Sequence, residues 1–195
     1  MDINAMAKRL CRLDYRTLDA ELSNVDDATL MDLLDSGSMK VVNAVAPILN
    51  RRDKADLVAD AILASRFSTK LGRIASSSIL RVRGKHAPRC AEVYLKLLED
   101  KTADVVNEGL FGLVFLQDLA NIPKIVEARK RSRAGPKADG YFEKALQALE
   151  ARDPFIFDPY FCDAVGVWEL EKARFGRRAG SRTAAGAKGK QETAH

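Results

Sequence analysis

The sequence predicts an all-α fold in which helix pairs stack in series as an α-solenoid, and three observations point there. The stretch Thr102–Asp118, TADVVNEGLFGLVFLQD, is apolar on every side from Leu110 to Leu116 except at Gly112. A helix without a polar face over two turns is covered by neighbours on both sides. Gly109 and Gly112 inside it each cost about 1 kcal/mol relative to Ala, so another backbone is expected to pack closely there. Finally, proposed helix-pair starts at Ser38, Thr69, Thr102 and Pro136 are separated by 31, 33 and 34 residues. Two helices per unit at a period in the thirties marks a solenoid.

Each element follows from local signals. Met1–Asn24 reads as one or two amphipathic helices, with Ile3, Met6, Ala7, Leu10 and Leu13 at helical spacing and Leu18 and Leu22 continuing the stripe. Asp26–Asp35 is a short acidic helix with Leu30, Leu33 and Leu34 on its apolar side, and Ser36-Gly37-Ser38 stops it. Helices Met39–Asn50 and Lys54–Arg66 follow, with Asp53 as the expected cap between them and Pro47 expected to kink the first. Helices Lys70–Arg83 and Pro88–Asp100 form the next pair, separated by Gly84 and opened again by Pro88. Helix Ala103–Asp118 starts at Thr102, whose hydroxyl is expected to cap it, with Asp104 near the positive end of the helix dipole. Ile122–Arg131, with Pro123 in its first turn, and Lys137–Arg152, after Gly135-Pro136, complete the series.

The first helix of each pair carries a recurring apolar pattern. It comprises Val41-Val42 with Ala44 and Val45, Leu71 with Ile74, Ala75 and Ile79, and Asp104-Val105-Val106 with Gly109-Leu110. From Ser38 to Arg152 this resembles the HEAT repeat in its short bacterial form. The resemblance implies a right-handed α-solenoid with repeats at about 38–68, 69–101, 102–135 and 136–175, in a single domain spanning 1–175. It also implies that the second helices line an inner, concave face that holds a partner.

Beyond Arg152 the composition changes. Eight of the thirteen aromatics fall between Tyr141 and Phe175, enough to cover the last apolar face of an array with a closing helix from about Pro159 to Arg174. Asp153-Pro154 and Asp158-Pro159 each pair an N-cap residue with a proline at the first helical position. From Gly176 no large apolar residue remains, and 176–195 reads as a disordered basic tail. The net charge of +5 comes from this end: residues 1–171 carry 25 Lys/Arg against 26 Asp/Glu, so the folded part is near neutral. That weighs against a dedicated nucleic-acid binder.

Signals for chemistry are sparse. The N-terminus lacks the continuous apolar core of a secretory signal, and no apolar run approaches the roughly 18 residues of a membrane span. Cys11, Cys90 and Cys162 are odd in number and widely spaced, as expected of reduced thiols in a cytoplasm. Of the two histidines, His86 sits in the basic connector Arg83-Gly84-Lys85-His86, and no Cys/His pair has metal-ligand spacing. No cofactor, metal or catalytic residue is expected.

The expected function is therefore non-enzymatic: a cytoplasmic HEAT-like scaffold, an adaptor or bacterial toxin-immunity protein, that binds a protein partner. The candidate contacts are Asp56, Asp60, Glu92, Lys96 and Glu99 on second helices, with Asp158, Tyr160 and Asp163 near the aromatic end. The acidic run Asp14, Asp19, Glu21, Asp26, Asp27, Asp32 and Asp35 is either a hydrated surface or a face for a basic partner. The alternative function is nucleic-acid binding, as in lesion-recognising HEAT-like glycosylases, through an acid-free block of Arg66, Lys70, Arg73, Arg81, Arg83, Lys85 and Arg89. Arg129, Lys130, Arg131 and Arg133 form a second basic patch. Those glycosylases recognise damaged bases with tryptophans and an aspartate. Here Trp168 is the single tryptophan, five residues after Asp163, and reads as a core anchor of the closing helix. No motif encodes the partner's identity or an oligomeric state.

Overall fold

The structure, a computed structural model, describes residues 2–83 and 89–159, and of 81–83 the backbone alone. The chain divides into a compact unit, Met1–Phe161, and a second unit, Cys162–His195; all described residues belong to the first. The expected closing helix with Tyr160, Asp163 and Trp168, the tail 176–195, and the connector holding Lys85 and His86 lie outside the described residues.

The described residues are all-helical and contain no strand. Their α-helices are α1 (Ile3–Leu10), α2 (Tyr15–Leu22), α3 (Asp27–Leu34), α4 (Met39–Arg51), α5 (Ala55–Leu63), α6 (Lys70–Arg83), α7 (Cys90–Leu97), α8 (Ala103–Leu116), α9 (Ile122–Arg131) and α10 (Pro136–Glu150). Single 3-10 turns follow at Leu119–Asn121 and Pro154–Ile156. None of the described helices is long and apolar enough to cross a membrane.

Local chemistry explains the starts. Carboxylates cap three helices: Asp2 accepts from the amides of Asn4 and Ala5, Asp14 from Arg16 and Thr17, and Asp26 from Thr29. Thr102 holds the N-cap position of α8 with extended backbone but, contrary to expectation, makes no side-chain cap; its amide donates to Asp100 at 2.8 Å. The cap of α5 is Lys54 rather than Asp53, which has φ 56° and terminates α4. α4 runs on through Pro47, which lies on the exposed side beside exposed Asn43. The carbonyl of residue 43, which loses its amide partner to the proline, is thus positioned to meet water.

Several helices end earlier than expected, two of them by three residues. α5 stops at Leu63 rather than Arg66, and α7 spans Cys90–Leu97 rather than Pro88–Asp100. α4, α5 and α10 finish in the same way. A residue of positive φ (Asp53, Ser65 or Arg152) donates back to the third carbonyl before it, and the next amide reaches five residues back. That is the Schellman arrangement, built here without its usual glycine.

Packing is serial. Helices α4, α6, α8 and α10 contact one another in succession, as do α5, α7 and α9, and the two rows are joined mainly where the second helix of one pair meets the first of the next, α5 on α6, α7 on α8 and α9 on α10. α8 lies at the centre, against α6, α7 and α10, with every residue from Gly109 to Phe115 buried, as its all-round apolar run requires. Both glycines mark close approach. A methyl at Gly109 would stand 2.7 Å from the Tyr94 carbonyl oxygen, and one at Gly112 would enter the Tyr94 ring. Tyr94 and Phe142 are fully buried. Phe157, after the last 3-10 turn, meets Phe111 of α8 edge-on at 6.0 Å.

The apolar face of α6 is rotated from the expected one. Gly72, Ala75, Ser76, Ser77, Ile79 and Leu80 are buried, whereas Leu71 and Ile74 are partly exposed. α6 touches α4, α5 and α8, and its buried serines are tolerated because they find partners: Ser76 bonds back to Gly72, and Ser77 reaches Glu108 at 3.3 Å.

Candidate functional site

The positions expected on second helices are only partly gathered. α7 turns Val93, Tyr94 and Leu97 inward and leaves Glu92, Leu95 and Lys96 outward, a division imposed by its 3.6-residue repeat. Of these, Glu92 and Lys96 form one wall of a groove of about 780 Å³. Leu63 at the end of α5 and Pro123, Lys124, Glu127 and Ala128 of α9 complete it, over a floor that includes Leu95 and Leu98. A second cleft, of about 490 Å³, opens beside it over Ile62, Phe67 and Leu97. Lys96, Glu99 and Arg133 line both.

Glu92, Lys96 and Glu99 thus come together, although Glu99 stands in the turn after α7 rather than on the helix. Lys96 pairs with Glu99 at 2.7 Å. Asp56 and Asp60 are exposed on α5 and do not line either cleft. Asp158 follows the last 3-10 turn, away from both clefts and partly buried.

Two sets of residues singled out for rival functions neutralise each other. Arg89, from the basic block, bridges Asp60 of α5 and Glu92 of α7. Both acids belong to the protein-binding set. Its guanidinium pKa is raised, chiefly by the bond to Asp60. The rest of the described block is likewise engaged within the fold. Arg66 pairs with Asp32 at 2.5 Å, Lys70 with Asp104, and Arg73 with Asp100. The Arg73–Asp100 pair is the most enclosed, with side chains 21% and 15% exposed. Arg73 Nε lies 2.7 Å from Asp100 Oδ2 without the alignment of a hydrogen bond, while Nη1 donates to the Ser68 carbonyl at 2.8 Å. Arg81 and Arg83 close α6, and their side chains are outside the description.

The acidic run is similarly spent. Asp14 and Asp26 are caps; Asp19 pairs with Arg51, and Asp27 with Arg52 and Lys54. The Asp27 pKa is lowered by the bond from Lys54 and then that from Arg52. Asp35 accepts four hydrogen bonds, from the amides and hydroxyls of Ser68 and Thr69. These carboxylates tie neighbouring helices together across spans of like charge in the sequence.

What sequence reasoning passed over is the residue of charge. Among the described residues, Lys101, Lys124 and Arg133 stand at the clefts without an acidic partner, whereas each acid there has a cation: Glu92 has Arg89, Glu99 has Lys96, Asp100 has Arg73, and Glu127 has Lys130 and Arg131. Charge spacing alone could not separate these from the engaged cations. Among the described residues no group of three His, Cys, Asp or Glu could hold a metal ion.

The described residues thus define an all-helical protein whose outward-facing grooves are polar-rimmed with apolar floors. Comparison of the chain with protein-family models, with curated proteins and with solved structures finds no match.

Proposed function

We propose that this chain is a non-enzymatic, cytoplasmic protein-binding scaffold, a HEAT-like, right-handed α-solenoid that receives its partner along the row α5, α7 and α9. The aromatic segment after Arg152 would close the last face of the array. The observation that carries this reading is the pair of adjoining clefts over α7, which combine leucine floors with polar rims. Such a surface matches a partner that supplies both apolar and charged side chains. The serial contacts of alternating helices support the solenoid. An adaptor and a toxin-immunity protein both use a surface of this kind, and the fold does not choose between them.

Nucleic-acid binding through Arg66–Arg89 is the weaker reading, because Arg66, Lys70, Arg73 and Arg89 already have carboxylate partners. A photo-crosslinking residue in place of Leu95, inside the larger groove, is expected to capture a protein in the native cell. The same residue in place of Asn43, exposed on α4, is expected to capture none. Capture from position 43 alone would discard the α5–α7–α9 face.

A further inference from the structure

Resting on the protein-binding reading, we infer that the joined clefts over α7 take an acidic, leucine-bearing polypeptide segment, held by Lys101, Lys124 and Arg133. The two clefts carry six cationic and four anionic side chains, a surplus of two positive charges. All four acids are matched inside the fold, so the charge available to a visitor is cationic. The three cations that have no acidic partner among the described residues surround the apolar floor: Lys101 just before α8, Lys124 in the first turn of α9, and Arg133 just after α9. Arg133 lies where the clefts meet, so an occupant crossing from one to the other passes it. Leu63, Leu95 and Leu98 give apolar side chains a place beside these charges. Apolar anchors at the centre with charges at the rim provide affinity and orientation respectively.

Other occupants fit less well. The chain's own end carries a net charge of +6 from Lys172 onward and would meet a surface of like sign. A second copy docking face to face would set the same surplus against itself. A nucleic-acid strand would satisfy the cations, but Glu92, Glu99 and Glu127 stand among them, and the one aromatic among the described lining residues, Phe67, is only 4% exposed and offers no stacking platform.

The test titrates the full chain, by fluorescence anisotropy, against three labelled probes: a short peptide of Leu and Glu, the same peptide with Lys for Glu, and a single-stranded oligonucleotide of equal length. The Glu peptide is expected to bind best, more weakly as salt rises. A variant carrying Lys101→Glu, Lys124→Glu and Arg133→Glu is expected to lose that peptide by about tenfold and to gain the Lys peptide, as three rim charges would dictate. The gain of binding also shows that the variant is folded. Preference of the unaltered chain for the Lys peptide or the oligonucleotide, or an unchanged Glu-peptide affinity in the variant, overturns the inference. If the crosslinker at position 95 captures a protein while the Glu peptide fails, the acidic occupant alone is discarded. If both fail, the protein-binding face goes with it.

Discussion

Asp104 at the start of α8 accepts a 2.8 Å hydrogen bond from Lys137 at the start of α10, and on its other side meets Lys70 at the start of α6. The three residues are 34 and 33 positions apart and occupy matching places at the entrances of three successive helices of one row. A carboxylate here also faces the positive end of the α8 dipole. The interval that set the helix-pair spacing therefore appears again in the ion pairs. Asp19–Arg51 and Asp32–Arg66 repeat it at 32 and 34.

The Asp104 contribution is expected to depend on acid in a defined window. Bonds from Lys137 and then Lys70 lower its pKa from 3.8 to about 2. A depressed folded-state pKa adds stability above the unfolded value of 3.8, and that stability is lost as pH falls toward 2. Asp104 is 36% exposed, so screening holds the contribution to about 1 kcal/mol or less. Asp104→Asn should lower urea-unfolding stability by that amount at neutral pH, and the gap from the unaltered chain should close near pH 2. A gap that persists there would assign the effect to something other than charge.

Gly112→Ala tests the closest contact in the core. An exposed helical glycine gains about 1 kcal/mol on becoming alanine. Here the new methyl would enter the ring of Tyr94, which is fully buried. The expected outcome is a loss of about 1–3 kcal/mol. In a double-mutant cycle by chemical denaturation, Tyr94→Leu should recover part of it, whereas Tyr94→Phe, which keeps the ring, should not.

This contact also shows how far the sequence could be read. Gly109 and Gly112 in an all-apolar run announced a close neighbour, and Tyr94 is that neighbour. The helices themselves were legible because apolar spacing and prolines are local signals. The site was not. Asp60, Arg89 and Glu92 lie on two helices and read as rival surfaces until the fold joins them. Lys101, Lys124 and Arg133 resemble any other basic residue until every acid nearby is assigned. Long-range pairing has no local signature, so composition supplied the charges and not their balance.

Asp35 is expected to be among the most sensitive acids of the run Asp14–Asp35. Burial alone would raise its pKa, but the bonds from Thr69 and Ser68 outweigh this and lower it. The same carboxylate joins the end of α3 to the start of α6, where a methyl at Gly72 would collide with it and approach its Cα to 3.1 Å. Asp35→Ala should cost about 2–3 kcal/mol in thermal or urea unfolding, since four hydrogen bonds to a charged acceptor are lost. Gly72→Ala should also destabilise, and the double variant should lose less than the sum because both disturb one contact.

Helix ends offer changes of the opposite sign. Ser65 (φ 54°) and Arg152 (φ 52°) hold left-handed backbone that costs a side-chain-bearing residue about 1 kcal/mol. Ser65→Gly and Arg152→Gly should therefore each raise stability by about 0.5–1 kcal/mol, net of the greater freedom of glycine in the unfolded chain. The two sites end different helices, α5 and α10, and their gains should add in denaturant unfolding. A loss at either would show that the native side chain there makes a contact worth more than the backbone strain.

The basic block gives the test that separates its two readings. If Arg66, Lys70 and Arg89 serve to join helices, replacing all three with Gln should lower the thermal midpoint and reduce its response to salt. In the unaltered chain, salt screens the pairs with Asp32, Asp104 and Asp60. Retention on duplex DNA should not change, because in the folded chain those charges already face carboxylates. If they instead served phosphate, the same triple variant would bind DNA more weakly at every salt concentration, with a shallower salt slope, as counterion release demands. The two outcomes differ in which measurement moves, stability or DNA retention. The full-length triple variant, examined by calorimetry and by heparin and DNA chromatography, decides between them.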